Sequence, residues 1–139
     1  MNVTSEKFLP IITPETKHFW EGTRQEELRL QECKACGLTY FPPRPFCPDC
    51  SSKSISIVIV SGKAKLYSYV ISHLHAPGFK PPFSIAVVEL SEGPRMMTNI
   101  VECPQTPEVL VLDMPLVVVY EERSDNITVP LFKPHEEIA

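Results

Sequence analysis

Positive charge is scarce in this chain: 13 lysines and arginines face 17 aspartates and glutamates, for a formal net charge of -4. An acidic domain does not draw in phosphate backbones through its overall field, which weighs against a nucleic-acid binder. Long apolar runs are also missing. No stretch reaches the ~18 residues of a membrane span. The start, MNVTSEKFLPII, has no basic segment leading into a long apolar one, so no secretory signal is visible. The expected setting is therefore cytoplasmic, with no membrane contact, where thiols stay reduced. Glycine is sparse, and the five residues are scattered, so no phosphate-cradling loop is present. There is no Gly-x-Ser-x-Gly elbow, and no nucleophile stands in a recognisable context. Sequence assigns no catalytic residue.

Proline, by contrast, is abundant at 15 of 139 residues, about twice ordinary usage. Proline is tolerated poorly inside helices and central strands, so the chain should consist of short elements joined by stiff turns. Four of the five cysteines fall in one segment, CKACGLTYFPPRPFCPDC, as two Cys-x-x-Cys pairs separated by ten residues. A Cys-x-x-Cys turn can present two sulfurs to one ion, and four thiolates suit tetrahedral zinc. Cys33, Cys36, Cys47 and Cys50 are thus the expected metal ligands, one ion per chain, with iron as the alternative for a sulfur-only site. All four positions would be filled by protein, so the site should be structural and closed to substrate. Cys103 stands alone and receives no role.

The rest reads as short β elements. TPETKHFW looks like a helix start, with Thr13 as cap and Pro14 in the first turn. Phe19 and Trp20 cannot find cover on so short a helix and must pack on the chain or on a partner. EELRLQEC alternates, with Leu28 and Leu30 on one face, as a half-buried strand. SISIVIV is an apolar β-branched run. KAKLYSYVISHLH alternates at length, with Leu66, Ser68, Val70, Ser72 and Leu74 on one face and Lys65, Tyr67, Tyr69, Ile71, His73 and His75 on the other. FSIAVVEL and RMMTNIV flank a tight SEGP turn. A proline-broken link, with room for one helical turn, precedes PLVVVYEE and NITVPLF. From Lys63 onward this gives five strands, compatible with a small closed barrel or a small sandwich.

Two further features carry weaker signals. His73 and His75 share spacing that suits a metal, but no third ligand is near, and a surface or partner-facing role is expected. Lys63, Lys65, Tyr67 and Tyr69 interleave basic and aromatic groups. That pattern suits a single-stranded nucleic-acid platform, the alternative function, or phosphates of a nucleotide-like ligand.

The phrases PPRPFCPDC, SGKAKLYSYVISH and VELSEG, in this order, resemble the domain-of-unknown-function-35 family over about residues 14 to 134. The resemblance implies a mainly β chain: an N-terminal helical segment (1–27), a rubredoxin-like zinc ribbon (28–54) and a five-stranded OB-fold barrel (55–139). It implies Zn2+ as a structural cofactor on the four cysteines. It also implies a non-catalytic accessory subunit in a hetero-oligomer with a thiolase-like protein that acts on acyl-CoA by condensing, acyl-transfer or retro-aldol chemistry. Phe19, Trp20, Tyr40 and Phe41 are then the expected partner-facing residues, and Lys63, Lys65, His73 and Phe79 the expected CoA contacts. The family usually has glycine where Ala64 and Asp113 stand, which singles out the local turn geometry at both.

Overall fold

The computed structural model describes residues 7–136. Helix α1 (Lys17–Arg24) begins three residues after the expected start. The reason is local: Thr16 N–H donates to Thr13 O at 3.1 Å, and Thr13 N–H donates to Thr16 Oγ1 at 3.0 Å. These bonds close a separate turn over Thr13–Thr16. Gly22 lies within the helix. It sits inside it because an added Cβ would lie 2.7 Å from the Arg29 side chain packed there.

Two sheets follow. Strands β1 (Leu28–Cys33), β2 (Thr39–Tyr40) and β3 (Ile55–Val60) form the first, in the order β2-β1-β3. Leu28 and Leu30 are 1% exposed, as their alternation predicts. The sequence starts the barrel at residue 55. In the structure, however, β3 pairs antiparallel with β1 from Ile55 opposite Cys33 to Val60 opposite Leu28. The apolar SISIVIV run therefore completes the ribbon sheet, because its inward side chains Val58 and Val60 lie beside Leu30 and Leu28.

The second sheet contains β4 (Lys63–Ser72), β5 (Phe83–Leu90), β6 (Arg95–Thr98), β7 (Pro115–Glu122) and β8 (Thr128–Pro134), in the order β6-β5-β4-β7-β8. It closes on itself. Just past β6, Ile100 makes a parallel bridge to Phe132, with Val101 N–H donating to Phe132 O at 2.8 Å. Five strands with one parallel closure form an OB-type barrel rather than a sandwich. Leu66, Val88, Leu116 and Phe132 fill it, and they share one apolar cluster with Phe19, Leu28 and Leu30 of the ribbon side.

Strand β4 departs from its simple alternation. A bulge between Leu66 and Ser68 shifts the register against β5. An extra residue at a bulge flips the following side chains to opposite faces. Leu66 stays inside, but beyond the bulge Tyr69 and Ile71 pack on the core while Val70 is 61% exposed. The strand ends at Ser72, so His73 and His75 fall outside it and are exposed. At the two positions where the family usually has glycine, Ala64 is buried in β4, and Asp113 adopts the left-handed φ of 69° that glycine favours. Asp113 N–H donates to Leu66 O at 2.7 Å, which fixes that turn against the strand. No helix among the described residues is long and apolar enough to cross a membrane.

Candidate metal centre and docking surface

The two knuckles are built alike. Cys33 N–H donates to Leu38 O and Cys47 N–H to Ser52 O, both at 2.8 Å. Gly37 N–H returns to Cys33 O at 2.8 Å, and Ser51 N–H to Cys47 O at 3.0 Å. The fourth residue after each leading cysteine takes the left-handed conformation, at φ 80° for Gly37 and 64° for Ser51. Glycine signals this turn in the sequence, whereas serine does not.

This repeated turn brings four sulfurs together. Cys33 and Cys50 Sγ are 3.5 Å apart, Cys36 and Cys47 Sγ are 3.7 Å apart, and all four lie within 4.8 Å of one another. A tetrahedral ion with metal–sulfur bonds of about 2.3 Å needs sulfur edges of about 3.8 Å, so the donor set fits. Backbone N–H groups already point at the sulfurs: Cys36 toward Cys33 at 3.4 Å, and Asp49 and Cys50 toward Cys47 at 3.4 and 3.5 Å. The Cys36 N–H chiefly draws the Cys33 thiol down, while burial and the neighbouring thiols push Cys36 and Cys50 up, so without an ion the first proton lost from the cluster is that of Cys33. Cys33 and Cys47 are buried, while Cys36 and Cys50 reach the surface. With four protein sulfurs and no remaining position, such a centre can hold the ribbon in shape but cannot bind a substrate.

The aromatic residues around the ribbon divide. Phe19 is 4% exposed and Tyr40 6%. Phe19 meets Trp20 edge-on at a ring separation of 5.0 Å and Phe41 at 5.3 Å. Phe19 and Tyr40 are therefore turned mainly into the chain's own interior; Phe19 reaches the barrel core and also backs the wall of the cleft that Trp20 and Phe41 line. Trp20 and Phe41 keep part of their surface. With Pro42, Met97 and Pro130 they line a cleft of about 330 Å³ where helix, ribbon loop and barrel meet. Met97 and Pro130 carried no sequence signal, since they come from distant strands and meet only through barrel closure. Phe46 remains exposed on the loop between the knuckles.

The four expected CoA contacts are not brought together. Lys65 lines a cleft of about 450 Å³ with Glu89 and Asp113, and pairs with both, at 3.4 and 3.9 Å. Lys63 is exposed at the start of β4, and His73 lies beyond its other end. Seven residues of strand separate Lys65 from Ser72, about 23 Å at ordinary strand rise. Phe79 lines a different cleft, stacked on Phe83 at 4.7 Å, with Lys7 Nζ 4.5 Å from its ring centroid. Arg95 spends its charge on Glu89 at 3.1 Å and lies over Tyr67 at 3.8 Å. The basic and aromatic face is thus largely neutralised by its own neighbours.

Fold and site together define a rubredoxin-like ribbon whose four cysteine sulfurs are gathered at metal-binding spacing, joined to an OB barrel through a shared core. Residues 20–56 match the family model described as the ChsH2 rubredoxin-like zinc ribbon domain, and residues 58–121 match the ChsH2 C-terminal OB-fold domain. The chain belongs to this ChsH2 (DUF35) family. It is 35% identical over 127 residues to the probable enoyl-CoA hydratase alpha subunit of Thermomonospora curvata, covering 90% of this chain but only 39% of that relative. It is 31% identical over 81 residues to the benzoylsuccinyl-CoA thiolase subunit BbsA of Thauera aromatica, covering 58% of this chain and 56% of that one. The solved structure of the Ltp2-ChsH2(DUF35) aldolase contains a chain that superposes with a TM-score of 0.82 at 35% identity, covering 91% of this chain and 98% of that chain.

Proposed function

We propose that this chain is an accessory subunit of a thiolase-like enzyme that acts on acyl-CoA thioesters, and that the partner carries the reacting groups. The observation that carries this reading is the near full-length likeness to the chain in the Ltp2-ChsH2(DUF35) aldolase. The names of the other two relatives also place them on CoA thioesters. The four-sulfur centre supports the reading from chemistry: it would hold one zinc ion through Cys33, Cys36, Cys47 and Cys50, and the ion's contribution would be to fix the ribbon. The ribbon in turn positions Phe41 and Pro42 beside Trp20, which makes the aromatic cleft the favoured surface for the thiolase-like partner. If this chain also touches CoA, the stacked Phe79 and Phe83 offer an aromatic face for an adenine ring, with Lys7 over it already paired to Glu121 at 3.3 Å, whereas Lys63, Lys65 and His73 lie apart from it.

Co-expression with a thiolase-like protein from the same genome tests the proposal. The expected result is one complex on size exclusion, which Trp20→Ala and Phe41→Ala weaken. Separate elution at every concentration tried would overturn it. Lys65 and Arg95 are both paired with Glu89, which leaves the nucleic-acid alternative without a free cationic track at that point.

A further inference from the structure

The ribbon sheet leaves β3 with no strand on its second edge among the described residues. Edge strands in natural proteins are usually blunted by charge, proline or a bulge. This one has none of these: from Ser54 to Ser61 the chain reads SISIVIVS, without a charge or a proline, and its pairing with β1 is unbroken. Lys34 N–H donates to Ser54 O at 2.9 Å, so Ser54, Ser56, Val58 and Val60 are the residues whose backbone faces β1. The backbone groups of Ile55, Ile57 and Ile59 point the other way. Ile57 is 45% exposed and Ile59 62%.

We propose that β3 is the contact through which two copies of this chain pair, antiparallel and centred on Ile57. A row of outward N–H and C=O groups is satisfied best by another strand, and an uncharged strand meets its own copy without repulsion. Only the outward-facing residues can form the central hydrogen-bonded pair, which places Ile57 opposite Ile57 of the second copy and Ile55 opposite Ile59. The six isoleucines then make one cross-strand apolar face. The same register brings Lys53 opposite Ser61 of the other copy. Ser61 N–H is held at 3.0 Å by the Glu92 carboxylate, so each Lys53 arrives beside a Glu92. Two symmetric Lys53–Glu92 pairs therefore flank the strand contact, as an isologous interface requires.

The test is sedimentation of the full, metal-loaded chain over a range of concentrations, without any partner protein. The wild type should form a dimer. Ile57→Lys puts two like charges on the twofold axis and should give a monomer, with metal content and circular dichroism unchanged. Lys53→Glu and Glu92→Lys should each weaken the dimer by roughly tenfold in Kd, and the double exchange should restore it. Three results would overturn the proposal. One is a wild-type monomer throughout. Another is a dimer that ignores both Ile57→Lys and the charge exchanges. The third is a monomer whose β3 variants lose only the thiolase-like partner, which would assign the edge to that partner.

Discussion

Replacing Phe19 by alanine tests how the three parts of this chain are joined. The side chain is 4% exposed and belongs to the cluster that also contains Leu28 and Leu30 of the ribbon sheet and Leu66 and Phe132 of the barrel. It touches two other rings, Trp20 at 5.0 Å and Phe41 at 5.3 Å. Truncating a buried phenylalanine loses its transfer free energy and leaves a void, at a cost of about 3–5 kcal/mol. The two ring contacts place the loss toward the upper half of that range, since each adds ~0.5–1.5 kcal/mol beyond burial. For a chain of this size that corresponds to a fall in Tm of roughly 14–17 °C. The assay is a thermal melt of the metal-loaded protein, followed by circular dichroism, with Phe19→Leu as a partner variant that keeps most of the volume. Phe19→Leu should recover more than half of the loss. A Phe19→Ala melt within ~2 °C of wild type, well below 1 kcal/mol, would refute the packing argument and return Phe19 to the surface.

Other outcomes follow from the same structure. Cys47→Ser removes a fully buried ligand, and the variant should bind less than one metal ion per chain and lose the thiolate charge-transfer band that cobalt gives in the wild type. Gly62→Ala combines a left-handed φ of 79° with a clash against Val118, and should cost about 2–4 kcal/mol in a denaturant titration; Gly37→Ala, at φ 80° with open space around it, should cost only about 1–2 kcal/mol. Burial, then the charge of Arg29, holds the His18 imidazole below its ordinary 6.5. The unfolded chain therefore takes up this proton first, and stability present above pH 6.5 is lost as pH falls through the lower folded value. His18→Phe should flatten that part of the stability profile. The Glu89 carboxyl is held below its ordinary 4.5 by hydrogen bonds from Arg95 and then Lys65, so its contribution is present above pH 4.5 and lost below; Glu89→Gln should remove that acid-side slope.

The sulfur cluster was legible because two Cys-x-x-Cys pairs at knuckle spacing bring four cysteines to one place. The strands were legible where alternation is regular, as at Leu28 and Leu30. Alternation misled at β4, because a bulge changes which face is buried without changing any residue type. The placement of β3 was hidden for a related reason: an apolar β-branched run announces a strand, not the sheet it joins. Ser51 shows the same limit at the second knuckle, where the backbone takes a conformation that glycine would have signalled. Of the aromatic cleft, Trp20 and Phe41 stood out in the sequence, but their meeting with Met97 and Pro130 did not. Trp20, Phe41, Met97 and Pro130 span more than a hundred positions and meet only once the barrel closes.

The central claim is that this chain completes an acyl-CoA enzyme without performing the chemistry. It is tested most directly by CoA-thioester turnover measured for three samples: this chain alone, a thiolase-like protein from the same genome alone, and the two mixed. The account predicts no turnover from this chain alone, and a mixture more active than the partner by itself. It also predicts that the gain disappears when Cys47→Ser replaces the wild-type chain. Turnover by this chain alone, or a partner whose rate is indifferent to its presence, would contradict it.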